Sequence, residues 1–384
     1  MNHVILEPIT RRPPVVIAGL VVIAVLAFLA VNRLVHRFQE QEKAWARQLF
    51  ESGQADLRAG KPEKALEELR AALTYSRDNF QYQLALARAL RDTGRTEESE
   101  AYLINLWEHL PQDGAVNLAL GRLYAREQSL DKAIQYYHNA VYGVWGADAD
   151  TRRRDARLEL IEFLLREHAF PQAQADLITL AASEPLSPEL QLQVARLFAQ
   201  AQDNEHALAQ FREVLNQDHG NTAALAGAGD AAFRLGRYRT AEGYLQNAVK
   251  ADPEDAQAKH LLETSSLILQ ADPFGRRVSS AERNRRVRRA FEQAGKRLES
   301  CASAKGIDLN SPSPSTGLPS LKARWNAMKP RLGELNAPSA ADMPDAVMDF
   351  VFEIEQQTKI ACGPPAELDQ ALLLLSQDRA GAEQ

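Results

Sequence analysis

Arginine supplies the clearest recognition chemistry in this sequence. Arg88, Arg122, Arg126 and Arg196 lie in apolar, helix-forming surroundings, with Leu84 four residues before Arg88 and Leu118 four before Arg122. A planar guanidinium binds a carboxylate through two parallel hydrogen bonds, so an acidic or extended peptide is the ligand these residue types suggest. The competing reading leaves the same arginines solvated or paired within the chain to Asp92, Glu127 or Glu159. A second basic set, with Arg285, Arg286, Arg288 and Arg289 at its centre, has three readings: a solvated helix face, a contact for anionic lipid or an acidic protein, or a nucleic-acid patch. No aromatic residues interleave these arginines and the chain carries a formal net charge of -6, so nucleic acid is the least favoured partner.

Catalytic chemistry is harder to find. The sequence has no GxxxxGK[ST] phosphate loop, HExxH, CxxC or GxSxG, and its eight histidines are scattered. Two cysteines exclude a four-thiolate zinc site and a disulfide-dense scaffold. No metal, cofactor or enzymatic activity is therefore expected; an active site would have to be assembled from distant segments, with 275–377 the region to search. Cys301 and Cys362 each end a helix-like segment, and they either remain buried thiols or form one disulfide. Such a bond would close a loop of about 60 residues, worth about 4 kcal/mol on the chain-entropy account, and would place the soluble part in an oxidising compartment.

The elements that must position these residues begin with "VVIAGLVVIAVLAFLAV", residues 15 to 31, flanked by Arg11, Arg12, Arg33 and Arg37. At about 1.5 Å per residue the run nears the thickness of a bilayer core, and it is longer than the apolar core of most signal peptides. The reading is a short tail at 1–14, a transmembrane anchor at 15–35 and a helical connector at 36–45. Flanking charge is similar on both sides; the short tail favours an amino terminus in the cytoplasm and an extracytoplasmic, periplasmic soluble part. With 45% apolar and 25% charged residues, that part has ordinary globular composition.

A 34-residue register then runs through the chain, with turns at Gly60, Gly94, Gln128, His168, Gln202 and Gly236 and one insertion near 148–153. Five residues after each turn stands a small residue: Ala65, Ser99, Ala133, Ala173, Ala207, Ala241. Four further on stands a bulky one: Leu69, Leu103, Tyr137, Leu177, Phe211, Leu245. Pro111, Pro185 and Pro253 close units, and the preceding helices carry Gly53, Ala87, Gly121, Ala195 and Gly229, with Ile161 the exception. This pattern resembles the tetratricopeptide repeat, a helix-turn-helix unit in which small residues let helices approach and bulky ones fill the gap to the next unit. The expected fold is all-α: a solenoid of six repeats at 46–79, 80–113, 114–147, 154–187, 188–221 and 222–255, then a capping helix at 256–274.

The resemblance implies a concave wall built from the first helix of each pair, where family members hold peptides or partner proteins, and it puts Arg88, Arg122, Arg126, Arg196, Leu84 and Leu118 on that wall. The asparagines of the family's carboxylate clamp are absent, which argues against a chaperone-tail receptor. Beyond the repeats, Ser279 and Glu282 start a basic amphipathic helix at 275–307, a Pro/Ser-rich linker follows at 308–319, three helices fill 320–377 and a disordered tail ends the chain at 378–384. Function follows as expectation: a membrane-anchored scaffold or assembly factor that binds partner proteins or peptides, similar to anchored repeat proteins that assist envelope assembly or secretion. The alternative is a non-catalytic subunit of a membrane-associated enzyme, export or maturation complex.

Overall fold

The computed structural model describes residues 13–183, 186–275, 277–310, 317–337, 342–365 and 367–382. Pro185, most of the amino-terminal tail and the middle of the Pro/Ser-rich linker lie outside them. The described residues form helices and connecting turns, with one isolated bridge between Asp113 and Val144 and no strand. Two compact units divide the chain, Met1–Glu167 and His168–Gln384.

The first unit holds α1 (Pro13–Arg58), α2 (Pro62–Tyr75), α3 (Phe80–Asp92), α4 (Thr96–His109), α5 (Gly114–Arg126), α6 (Leu130–Val141) and α7 (Ala149–Arg166). The apolar run, the connector and the first helix of the first pair are one helix of 46 residues, because nothing between Pro14 and Gly60 stops it except Gly19 and Gly53, which helices tolerate. Its apolar side chains from Ile17 to Val35 are exposed, and the helix is long and apolar enough to cross a membrane. The second unit holds α8 (Phe170–Ala181), α9 (Pro188–Gln200), α10 (Asn204–Gln217), α11 (Thr222–Arg234), α12 (Tyr238–Ala251), α13 (Ala256–Ala271), α14 (Ser280–Lys305), α15 (Gly317–Met328), a 3-10 stretch (Lys329–Asn336), α16 (Met343–Cys362) and α17 (Glu367–Ala382).

Local chemistry sets the helix ends. Asn79, Asp113, Asp203, Asn221 and Asp255 each accept a hydrogen bond from the amide two or three residues on, which satisfies a donor that the first turn leaves orphaned. All six turn residues of the 34-residue register have left-handed backbone, with φ of +69° at Gly60, +79° at Gly94, 59° at Gln128, 57° at His168, 62° at Gln202 and +69° at Gly236. Within pairs, the small position meets the bulky one. A Cβ on Gly229 would lie 2.6 Å from Leu245, and one on Gly53 2.9 Å from Leu69. The small and bulky residues of the register are all buried, between 0% and 2% exposed.

The chain just before the insertion that breaks the register folds back on its own unit. Gly114 N donates to Val144 O at 2.8 Å, Val144 N donates to Gln112 O at 2.7 Å, and the Trp145 ring lies on Gly114 Cα where a side chain would not fit. In the second unit the helix after the last pair is not the outermost layer. The outer side of α13 is covered by α17, with Tyr238, Ile268 and Ala371 buried together and Leu267, Leu368 and Leu375 around them. The helix α17 therefore runs past 378 to Ala382, where the sequence reads as a disordered tail; the Asp378 side chain is hydrogen-bonded to Tyr238 and anchors that turn. Helices α14, α15 and α16 share a core around Phe291 and Trp325, whose rings stack at 5.1 Å.

Candidate functional site

Three of the four arginines meet in the first unit. Arg88 projects from α3, and Arg122 and Arg126 from α5, the first helices of successive pairs. Arg122 is already matched: its Nε and Nη2 donate to the two Glu159 oxygens at 2.7 and 2.6 Å, and the Tyr137 hydroxyl donates to the same carboxylate at 3.0 Å. Burial opposes ionisation of Glu159, yet the Arg122 hydrogen bonds and charge hold its carboxyl below the ordinary value, and the same pairing raises Arg122. Arg126 is exposed and donates Nη1 to the Arg91 carbonyl at 2.8 Å, close to the C-terminal end of α3.

Arg88 differs from both. Its Nε is buried without a hydrogen-bond partner. Burial, then the charges of Arg122, Arg91 and Arg152, push its guanidinium down to about 10, with only Asp113 acting the other way. Arg91 donates to Asp92 at 2.9 Å and leaves its Nη1 buried without a partner. Several positive groups thus converge on a spot whose carboxylates are already engaged: Glu159 by Arg122, Asp92 by Arg91, and Asp113 by the amides of Ala115 and Val116. An anion placed there would gain hydrogen bonds and relieve like-charge repulsion.

Sequence reasoning did not single out Arg91 and Arg152. Arg91 had a signal, since it follows Arg88 by three residues and shares its helix face; Arg152 lies in the inserted stretch, which no register places. Leu84 and Leu118 are 6% and 8% exposed, so they pack the wall between helices and offer a ligand little surface. This corrects the expectation that they would line the groove. Arg196 is exposed on α9 in the second unit, a separate body from the other three.

The basic helix α14 also needs correction. Arg286 donates Nη1 to the carbonyls of Leu269 and Asp272 at 2.8 and 2.7 Å, capping the C-terminal end of α13, while its Nε is held by Glu282. Arg288 donates to Leu332 O at 3.1 Å, and Arg297 to Gly363 O at 3.0 Å. These groups fasten neighbouring segments to α14 and are not available to lipid. Arg285 and Arg289 are the exposed pair, and Arg285 is bridged to Glu282. Cys301 and Cys362 are joined by a disulfide that ties α14 to α16, with Cα atoms 5.8 Å apart.

Two open clefts stand out among the described residues of the second unit. One, of about 410 Å³, is lined by Tyr238, Ile268, Asp272, Phe274, Phe352 and Asp378; the other, of about 440 Å³, by Arg212, Asn216, His219, Tyr244 and Asn247. Among the described residues no three or more His, Cys, Asp or Glu side chains come together as metal ligands would.

The family model for the tetratricopeptide repeat matches residues 56–123 and 198–263, one block in each unit. No curated protein sequence matches the chain. Solved structures similar to it include YrrB, a repeat protein described as having an unusual peptide-binding site, at 19% identity over 51% of this chain and 97% of that one, with a TM-score of 0.39. They also include PilF of Pseudomonas aeruginosa, at 17% identity over 57% and 97% with a TM-score of 0.40, and PilW, a type IV pilus biogenesis factor, at 17% identity over 56% and 98% with a TM-score of 0.40. Helix pairs, left-handed turns, small-on-bulky packing and the two matched blocks agree: the chain contains tetratricopeptide repeats.

Proposed function

We propose that the protein is a single-pass, membrane-anchored scaffold that holds an acidic segment of a partner protein against the arginines of α3 and α5. The fold itself supports a protein-interaction role; the observation that carries the finer reading is Arg88, a guanidinium with a buried, unpartnered Nε and like charges around it. The carboxylate it lacks within the chain is what an acidic ligand supplies. Anchoring is supported by the exposed apolar length of α1, and an extracytoplasmic soluble part by the Cys301–Cys362 disulfide, since such bonds persist in oxidising compartments.

The test uses the full chain in detergent or nanodiscs and a fluorescent poly-glutamate peptide. Arg88→Ala weakens binding by about tenfold, in keeping with loss of a charge-assisted bidentate contact, while Arg289→Ala on α14 leaves it unchanged. Equal affinity of Arg88→Ala and the parent chain rejects the site. An alkaline phosphatase fusion after Gln384 reads the topology separately: an active fusion fits the proposed orientation and an inactive one removes it.

A further inference from the structure

We infer that α1 is a self-association seam, so that the anchored protein is a parallel pair of chains joined along the helix that crosses the bilayer and enters the first repeat. The inference rests on the anchor reading above. From Ile17, alternating steps of three and four residues land on apolar side chains through Leu34 and Phe38, meet Gln41 and reach Trp45. That alternation is the 3.5-residue repeat of helices that wrap around each other. It continues without a phase break because α1 is one helix from Pro13 to Arg58.

Below Trp45, whose ring meets the Tyr75 ring of α2 edge-on at 6.0 Å, the stripe is largely exposed. Val31, Leu34, Phe38 and Trp45 are 59%, 69%, 56% and 49% exposed. The first repeat uses a different side of the same helix, where Ala46 is 1% exposed beside Ala72 and Tyr82, and where Gly53 meets Leu69. Ten residues separate Trp45 from the end of the anchor at 35, a rise of about 15 Å, so lipid can cover the lower stripe and not its upper end. Within the bilayer the seam positions include Ala24 and Ala27, and small residues are what lets helix backbones approach closely in lipid.

Charge selects the occupant. Two copies of a chain anchored through one bilayer in the same sense are necessarily parallel. In a parallel pair, the residue just before one core position faces, on the partner helix, the residue five further along. Here those residues are Arg37 and Glu42. On a single helix residues five apart do not meet, and neither has an ion pair within the chain among the described residues. A second copy provides each with its opposite charge, giving two such contacts per pair of chains, and Gln41 in the seam gives the pair a hydrogen-bonded register.

Single cysteines test this in membranes, since the protein's own two cysteines are bonded to each other. Gln41→Cys, on the seam, forms the disulfide-linked double-mass species on mild oxidation about tenfold more than Lys43→Cys, on the outer face of the same turn. Adding Arg37→Glu to Gln41→Cys lowers the yield about fivefold, and adding Glu42→Arg as well restores it. Equal yields for Gln41→Cys and Lys43→Cys in carbonate-washed membranes overturn the seam and leave the anchor standing; lipid alone, or a helix of another protein, on the stripe gives this result. Loss of the chain to the soluble fraction overturns the anchor and the seam together.

Discussion

Three of the six repeat turns ask a non-glycine residue to hold left-handed backbone, at Gln128, His168 and Gln202. Such residues carry a steric cost that glycine does not. Replacing Gln128 or Gln202 by Gly is expected to raise stability by about 1 kcal/mol each in urea unfolding followed by circular dichroism. A titrating residue gives a second test. Glu355 on α16 is 0% exposed with both oxygens unpartnered, and burial, aided by the Asp369 charge and opposed by Arg297, pushes its carboxyl up to about 8. Asp369 on α17, itself raised by burial, receives a hydrogen bond from Gln293 on α14. A carboxyl with a raised folded-state value binds its proton more tightly in the folded chain, so its contribution is full at low pH and is lost as pH rises from about 4.5 to about 8. Glu355→Gln is expected to gain about 1–3 kcal/mol over the parent at pH 8 and to flatten that slope, read from melting curves across pH.

At the scale of elements, the helix pairs were legible because one rule recurs: a small residue on one helix and a bulky one on the next. Gly229 against Leu245 shows its tightness, and Gly229→Ala is expected to cost about 1–3 kcal/mol by overpacking, measured by chemical denaturation. The arginines of α3 and α5 were legible from the same register, but their unequal states were not. Whether Arg122 meets Glu159 while the Arg88 Nε stays unpartnered depends on where helix α7 lies after an insertion that no repeat rule places. Two further features escaped for a related reason. The run of four leucines in α17 has no period that names its neighbour, so its docking on α13 across about a hundred residues of chain could not be read. Arg286 and Arg288 looked like surface charge because a carbonyl that accepts a side chain has no signature in a sequence; only the fold shows that α13 ends beneath Arg286 and that the Leu332 carbonyl meets Arg288.

For the whole molecule, the disulfide divides its stability unevenly. Cys301–Cys362 braces α14 against α16 in the second unit, with a sequence separation of 61, and crosslinking a loop of that length is worth about 4 kcal/mol on the chain-entropy account. Reduction is therefore expected to make 280–382 proteolysable while the first unit stays resistant, as limited trypsin digestion with and without dithiothreitol would show. The single long helix at the other end has a mechanical meaning. From residue 36 to Arg58 it extends about 35 Å beyond the proposed anchor with no proline or loop to act as a joint. Transmembrane helices tilt by about 20° on average, and a stiff arm of that length turns such a tilt into a lateral sweep of about 12 Å at its far end. A partner held by the first unit would then feel changes in bilayer thickness as changes in position, with the arm converting one into the other.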